Sequence, residues 1–377
     1  EFRRVLFRSQ PWGDSGAAPA IDLRFEHALF LSSTVISTAT NRGPSALNLS
    51  ASVVNQAAAR QLARALPATM FAYDCVQRAF AFRRTFAPGD YPPVRACLEQ
   101  AADCLGQAPA ELESAEALRG TRAVQLCLLI AGVAASRLLE TRGHRPGLVA
   151  GLSIGAYPAA VVAGALDFDD ALRLVALRGE LMQAAWPEGY GMSAILGLEQ
   201  AQLEALILAV RREHPPLYLA NVNAERQLVV AGSEAALAAL AERARAAGAS
   251  AAKRLAVSVP SHCALLDEPA ARLAEAFAGI RLHRPRVPYL SSSRARLVAE
   301  PAALADDLAG NMARRVEWLA TLRSAYERGA RLHLELPPGR VLSGLARPLF
   351  GCATPAFEGS RADTLDALLR EEEKRTR

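Results

Sequence analysis

The segment most suited to chemistry is Gly151-Leu152-Ser153-Ile154-Gly155, which places a serine between glycines at Gly-x-Ser-x-Gly spacing. It follows a short apolar run, residues 147–152, and precedes a stretch with helical periodicity, residues 154–165. A serine on a sharp strand-to-helix turn needs small neighbours two residues away on each side, and the following helix directs its N–H groups at the reaction centre. The pattern predicts a nucleophile at Ser153. The alternative is a glycine-rich turn with an incidental serine.

A serine nucleophile needs a general base, and the histidines are the candidates. The chain has six of them: His27, His144, His214, His262, His283 and His333. His262 lies in VSVPSHC, just after a strand-like run and beside a proline that restricts the backbone. His144, His214 and His283 adjoin Arg or Pro in segments that we expect to be surface loops, and His333 lies within a predicted strand. Residue type alone leaves the choice open.

The elements that must position these residues alternate between helices and strands. Helical patterns cover residues 93–105, 121–140, 154–165, 167–185 and 340–348, and strand patterns cover residues 147–152 and 332–335. Between them, strands at 192–198, 218–223, 227–232 and 253–259 alternate with helices at 199–212 and 233–247. That β-α-β-β-α-β order is typical of a ferredoxin-like module. We predict an α/β fold: an α/β-hydrolase-like large subdomain with a parallel sheet, and an inserted ferredoxin-like small subdomain.

Composition limits the class of protein. The chain has 377 residues, 51% of them apolar and 21% charged, and a formal charge of +5. This length allows about two domain-sized units, and the composition excludes a disordered chain, a collagen and a disulfide scaffold. The six cysteines show no Cys-x-x-Cys spacing, which predicts reduced cytoplasmic thiols and no metal site. No long basic run is interleaved with aromatics, so we expect no nucleic-acid partner.

Two uncharged stretches have the apolarity of membrane spans. Residues 123–136 number only 14 between Arg122 and Arg137, which is too few to cross a bilayer. Residues 147–166 contain four glycines and a proline and divide into a strand and a helix. We therefore predict a soluble, cytoplasmic protein with no membrane contact.

From about residue 93 to residue 348 the chain resembles the malonyl-CoA:acyl-carrier-protein transacylases. The resemblance is carried by seven motifs in the family's order: GLSIGAYPAA (151–160), ALRLVALRGELM (171–182), EGYGMSAILGL (188–198), NVNAERQLVVAG (221–232), VSVPSHCALL (257–266), NMARRVEW (311–318) and ELPPGRVLSGL (335–345). Leu152 stands where most members have histidine. That residue and the sequence GLSIGAYPAA most resemble the epsilon subunit of bacterial malonate decarboxylase.

The resemblance implies a role for five residues. Ser153 would carry a malonyl ester, and His262 would be its general base, oriented by the backbone carbonyl of Glu317. The N–H of Ile154 would hold the oxyanion, and Arg178 would bind the free carboxylate of the malonyl group. On residue type alone, Arg178 would be one more arginine on a helix surface. The implied partners are malonyl-CoA and either an acyl-carrier protein or the carrier subunit of malonate decarboxylase, and the implied chemistry needs neither a bound cofactor nor a metal.

The start of the chain departs from the family pattern. Residues 1–9, EFRRVLFRS, read like vector or assembly sequence, and residues 1–92 show weak periodicity. The family's Gly-Gln-Gly loop is missing, and its nearest remnant is FAPGD at residues 86–90. We expect residues 1–92 to be an atypical segment of artefactual or frameshifted origin that lacks the first strand and the second oxyanion donor. Losing one such donor costs about 10²–10³ in rate.

The predicted organisation assigns residues 93–190 and 257–365 to the α/β-hydrolase-like subdomain and residues 191–256 to the ferredoxin-like one. The predicted activity is that of a malonyl-CoA:acyl-carrier-protein S-malonyltransferase within malonate decarboxylase. Three alternatives stay open: a malonyl transferase of fatty-acid synthesis, a serine esterase and a non-catalytic carrier-docking module. The esterase would need an Asp or Glu to orient its histidine and would have no use for Arg178.

Overall fold

The computed structural model describes residues 34–39 and 92–376, except residues 115, 187, 256 and 258. The strands are β1 Thr34–Ala39, β2 Leu148–Gly151, β3 Tyr190–Leu196, β4 Leu217–Ala224, β5 Gln227–Ser233, β6 Ala251–Arg254, β7 Tyr289–Ser291, β8 Arg296–Leu297 and β9 Ala330–Glu335. The main helices are α1 Pro92–Leu105, α2 Thr121–Thr141, α3 Ala156–Val162, α4 Phe168–Ala185, α5 Gln200–Glu213, α6 Glu234–Ala246, α7 Asp267–Phe277, α8 Pro301–Gly310, α9 Trp318–Glu327, α10 Val341–Phe350 and α11 Ala362–Thr376.

The larger sheet has the strand order β8-β7-β2-β1-β9. β2 pairs with β7 in parallel, and β1 runs antiparallel to both β2 and β9, so that β2 and β9 share one direction. Helices pack around this sheet, which confirms the predicted α/β fold class. Because Ser153 follows β2, a central strand with partners on both sides, the sheet fixes the backbone that leads into it.

β1 corrects one expectation about the first 92 residues. The sequence analysis expected no first strand there, whereas Thr34–Ala39 forms one between β2 and β9. The physical reason is that two neighbouring strands with unpaired inner edges leave buried N–H and C=O groups without partners, and a strand between them supplies those hydrogen bonds. The other expectations about residues 1–92, including the missing loop and the second oxyanion donor, lie outside the described residues.

Helix α2 is the longest helix of the described chain. Its 21 residues are long and apolar enough to span a membrane, but most of them are buried inside the protein against α1 and α4. Its side chains form part of the same hydrophobic core as those of α4. The helix therefore has the environment of a core helix.

The second sheet has the order β4-β5-β3-β6 with all pairs antiparallel, which is the ferredoxin-like topology that the sequence predicts. β6 ends at Arg254 and does not continue to residue 259 as expected. At this end of the strand the Arg254 side chain donates to the carbonyls of Met192, Leu255 and Val257, in place of further ladder hydrogen bonds. The boundaries of the two subdomains stay a prediction.

The two sheets meet at β4. The Val222 N–H donates to the carbonyl of Val316 at 2.8 Å, and the Val316 N–H donates to the carbonyl of Ala220 at 2.9 Å. This contact ties the edge of the small sheet to the segment between α8 and α9. That segment also contacts His262, so the seam between the sheets supports the position of this histidine.

Candidate active site

Ser153 lies at a strained turn directly after β2. Its φ is +54°, a left-handed conformation that is rare for a residue other than glycine, and a short 3-10 turn, Ser153–Gly155, leads from it into α3. A Cβ atom on Gly151 would lie 1.9 Å from the carbonyl carbon and oxygen of Gly155. The motif therefore needs glycine at position 151, and its local geometry is that of a nucleophile elbow.

His262 is the described histidine that reaches this serine. Its Nε2 lies 2.8 Å from Ser153 Oγ, and its Nδ1 lies 2.9 Å from the carbonyl oxygen of Asn311 and 3.1 Å from that of Arg314. Because both carbonyls only accept hydrogen bonds, Nδ1 must carry the proton, and Nε2 is then free to accept the serine hydroxyl proton. The backbone alone selects the tautomer that a general base requires.

The expectation for Glu317 is wrong. Its carbonyl accepts from the backbone N–H of Thr321 at 2.9 Å and from Thr321 Oγ1 at 2.7 Å, because Glu317 is the residue that precedes α9. The carbonyls on His262 come from the turn between α8 and α9, where the chain leaves the helix and its last carbonyls lack helical partners. Sequence reasoning found the right motif, NMARRVEW, but chose the wrong residue in it.

Arg178 lies in the middle of α4 with 1% of its surface exposed. Its Nη1 donates to Gln125 Oε1 at 2.5 Å, and its Nη2 donates to Asn311 Oδ1 at 3.1 Å and lies 3.5 Å from Ser153 Oγ. No Asp or Glu of the described chain forms an ion pair with it. The structure thus brings Ser153, His262 and Arg178 together, and it adds Gln125 and Asn311, which the sequence analysis missed.

The charges of the site follow from this burial. Desolvation lowers the pKa of Arg178 to about 10, which leaves the guanidinium charged at neutral pH. Burial first, and the positive charge of Arg178 second, lower the pKa of His262 to about 4, against the opposing effect of its hydrogen bonds to the carbonyls of Asn311 and Arg314. The imidazole is therefore neutral at pH 7, and the site as a whole carries one buried positive charge.

Ile154 is the second residue of the 3-10 turn that begins at Ser153. The first N–H groups of a helical segment have no acceptor within it, and they point toward its N-terminal end. This places the N–H of Ile154 beside the serine, where an oxyanion would form. Within the described residues no group of His, Cys, Asp and Glu side chains is arranged to hold a metal ion.

The other histidines occupy different surroundings. His144 was expected in a surface loop, but it is buried, because α11 covers it and brings Asp366 Oδ1 to 2.7 Å and Glu373 Oε1 to 2.9 Å from its ring nitrogens. His333 is buried in β9, in the predicted strand, and His214 is exposed. His27 lies outside the described residues.

The fold is that of an α/β acyltransferase. The sequence profile of the acyl transferase domain family matches residues 48–350, and the chain belongs to that family. It is an enzyme of the malonyl-CoA:acyl-carrier-protein transacylase type. The match begins at residue 48, inside the segment that the sequence analysis set apart.

Curated relatives and solved structures agree with this assignment. The chain is 38% identical to the malonyl CoA-acyl carrier protein transacylase of Haemophilus influenzae over 275 residues, which cover 70% of this chain and 86% of the relative. It is 36% identical to the corresponding protein of Escherichia coli K12 over 269 residues, with 70% and 87% covered. The crystal structure of FabD from Acinetobacter baumannii matches with a TM-score of 0.71 at 33% identity, covering 75% of this chain and 92% of that one. A malonyl-transacylase in complex with a type II polyketide-synthase acyl-carrier protein matches with a TM-score of 0.67 at 36% identity, with 71% and 87% covered.

Gly151→Ala tests the strain at the elbow. The added Cβ would meet the Gly155 backbone at 1.9 Å, so the turn must shift, and a displacement of about 1 Å at a reacting group costs about 100-fold in rate. We expect labelling of Ser153 by a fluorophosphonate probe to slow by about that factor. Gly344→Ala is the matched control, because a Cβ there meets nothing within 4 Å, and it should label at the wild-type rate. Equal labelling rates for the two variants would contradict the elbow geometry.

The pH dependence of the same labelling tests the state of His262. Since its pKa is lowered to about 4, the neutral base form persists above that pH, and the rate should rise around pH 4 and stay level from about pH 6 to 8. Removing the charge in Arg178→Gln should raise the pKa of His262 and move the midpoint to higher pH. A wild-type midpoint near 6.5, unmoved in the variant, would rule out this electrostatic coupling.

Proposed function

We propose that this enzyme transfers a malonyl group from malonyl-CoA, through an ester on Ser153, to the thiol of a carrier protein. The observation that carries the proposal is Arg178, a buried guanidinium without an acidic partner among the described residues, whose Nη2 lies 3.5 Å from Ser153 Oγ. A buried charge costs free energy unless something compensates it. An acyl group with a terminal carboxylate would do so while its thioester carbon lies at the serine.

The first half-reaction forms the ester. Ser153 Oγ attacks the thioester carbonyl while His262 Nε2, 2.8 Å away, accepts its proton. The N–H of Ile154 stabilises the negative charge that develops on the carbonyl oxygen. The carbon–sulfur bond then breaks, and His262 returns its proton to the departing CoA sulfur.

The second half-reaction runs the same steps with a different thiol. His262 accepts the proton of the carrier thiol, the thiolate attacks the ester carbonyl, and the new carbon–sulfur bond replaces the bond to Ser153. Oγ leaves with the proton held on Nε2, which restores the starting enzyme. One neutral base therefore serves both directions, as ping-pong transfer requires.

The geometry argues against the two remaining alternatives. A serine esterase uses an Asp or Glu to orient its histidine, whereas Nδ1 of His262 donates to two backbone carbonyls. A module that only docks carriers would have no need for the strained serine, its φ of +54° or the 2.8 Å contact to a histidine. Both alternatives also leave the burial of Arg178 without a purpose.

The carrier and the metabolic setting form a finer proposal. Leu152, in the wording GLSIGAYPAA, supports the carrier subunit of malonate decarboxylase, whose thiol belongs to a CoA-derived prosthetic group. The relatives named as malonyl CoA-acyl carrier protein transacylases support the acyl-carrier protein of fatty-acid synthesis instead. Either setting requires free CoA thioesters, which agrees with a cytoplasmic enzyme.

Intact mass measurement tests the proposed reaction. We expect the protein to gain one malonyl group on incubation with malonyl-CoA, and Ser153→Ala to gain none. Adding either carrier protein in its thiol form should then remove the adduct and malonylate the carrier, and the faster of the two identifies the setting. A folded protein that forms no adduct would contradict the transferase. Rapid release of free malonate without a carrier would favour the esterase.

Arg178→Ala tests the binding of the malonyl carboxylate. Since charge-assisted hydrogen bonds contribute about 1.5–3 kcal/mol each, we expect kcat/KM for malonyl loading to fall by about 10- to 100-fold. Acetyl loading should not fall and should rise relative to malonyl loading, because loss of the charge also raises the pKa of His262. Arg173→Ala is the matched control, because Arg173 lies on the same helix but is exposed and paired with Asp170. Equal losses of kcat/KM for malonyl and acetyl loading would show that Arg178 does not bind the malonyl carboxylate.

A further inference from the structure

The turn that orients His262 is held by a side chain that the reaction itself does not use. Arg314 contributes one of the two carbonyls on His262 Nδ1, at 3.1 Å. Its guanidinium extends back over the end of α8 and forms a two-pronged ion pair with Asp306, Nη1 to Oδ2 at 3.0 Å and Nη2 to Oδ1 at 2.7 Å. Nη1 also donates to the backbone carbonyl of Asp306 at 2.8 Å.

The end of α8 is shaped to receive this guanidinium. A Cβ on Gly310 would lie 2.5 Å from Arg314 Cζ, so the guanidinium crosses the helix end in the space left by the missing side chain and would have to move if that position carried one. The backbone N–H of Arg314 donates to the carbonyl of Gly310 at 3.1 Å, which closes the turn. Arg294 also forms an ion pair with Asp306, which further restrains the carboxylate that pairs with Arg314.

A planar guanidinium held at both prongs has little freedom of rotation, and its main chain shares that restriction. The same ion pair is worth little to the stability of the fold, because its two side chains are 37% and 53% exposed. Its main physical effect is therefore on the direction of the carbonyls in the turn, and those carbonyls determine which nitrogen of His262 carries the proton.

We propose that Arg314 is a positioning residue for the reaction, and that its ion pair with Asp306 holds the carbonyls of residues 311 and 314 on Nδ1 of His262. The proposal rests on the proposed function for the identity of the reaction, but not for the role of the histidine. Without the ion pair, the turn relaxes, the imidazole loses one of its two acceptors, and its Nε2 no longer points steadily at Ser153.

The groups around His262 determine which other changes could shift its pKa. They are Ser153 from the elbow and the guanidinium of Arg178 from α4, with Cys263 next in its own segment. The Arg314 and Asp306 side chains pair with each other, and Arg314 affects the pKa of His262 through its backbone carbonyl. A change in Arg314 should therefore reach His262 through its carbonyl contact.

The experiment compares Arg314→Gln, Arg314→Lys, Asp306→Asn and the double variant of Arg314→Gln with Asp306→Asn. The control is Arg361→Gln, which removes an exposed arginine that forms the same two-pronged pair, with Asp363. Two rates are measured against pH: labelling of Ser153 by a fluorophosphonate probe, and malonyl loading with kcat and KM separated. The melting temperature of each variant is recorded alongside.

We expect Arg314→Gln to lower the labelling plateau by about 3- to 10-fold, the effect of one lost hydrogen bond. The midpoint should move to lower pH, since the lost carbonyl contact is one that raises the pKa of His262. For loading, kcat should fall while KM for malonyl-CoA stays within about twofold. Asp306→Asn should change the labelling rate and its midpoint in the same way, and the double variant should lose no more labelling rate than either single variant. Arg314→Lys should recover part of the labelling rate, and the control Arg361→Gln should match the wild type.

Two results would overturn the proposal. One is a plateau and midpoint in Arg314→Gln and Asp306→Asn equal to those of the control. The other is a slower rate with an unmoved midpoint and a loss that follows the melting temperature, which is what a merely structural role produces. A wild-type enzyme that labels with the probe but never accepts malonyl from malonyl-CoA would contradict the proposed function alone, because the labelling data still decide the role of Arg314.

Discussion

The feature on which the site depends is a buried guanidinium that no carboxylate of the described residues pairs with. Arg178 donates from Nη1 and Nη2 to two amide oxygens, of Gln125 and Asn311, while its buried Nε has no partner and its charge is not compensated by a described carboxylate. An Asp or Glu on His262 would lie close enough to pair with this charge and would compete with an anionic acyl group for it. Orientation of the histidine by backbone carbonyls avoids that competition, because a carbonyl accepts the Nδ1–H without carrying a charge. The absence of a third acidic member of the triad thus follows from the arginine.

Asn311 joins the two halves of this arrangement. Its backbone carbonyl accepts from His262 and its side-chain amide oxygen accepts from Arg178, so that one residue fixes the base and the cation relative to each other. The seam with the ferredoxin-like sheet acts on the same segment, since Val316 is bonded to β4 on both its N–H and its C=O sides. The small subdomain therefore contributes to the chemistry by supporting this segment, although it supplies none of the five side chains described at the site.

Sequence reasoning succeeded where the requirement is local. Gly151 and Ser153 can be interpreted from five consecutive residues, and the alternation of apolar positions is sufficient to predict the ferredoxin-like module. It failed where the group is a backbone carbonyl, which has no signature in residue type, so that Glu317 was chosen where Asn311 and Arg314 act. His144 failed for another reason: its partner Asp366 lies 222 residues away, and such a distance hides the burial from any local pattern. Arg178 could be singled out only through the family motif, because its sequence neighbours are those of an ordinary amphipathic helix.

The same positive charge has a second consequence for the proposed reaction. Arg178 lowers the pKa of His262 and disfavours the imidazolium that the proposed attack of Ser153 would form. A malonyl carboxylate paired with the guanidinium cancels much of that field, so the histidine becomes a stronger base once the acyl group is in place. An acetyl group or water alone leaves the charge uncompensated and the base weak. Binding and proton transfer are then linked through one cation, which favours reaction of the anionic acyl group over that of a neutral acyl group.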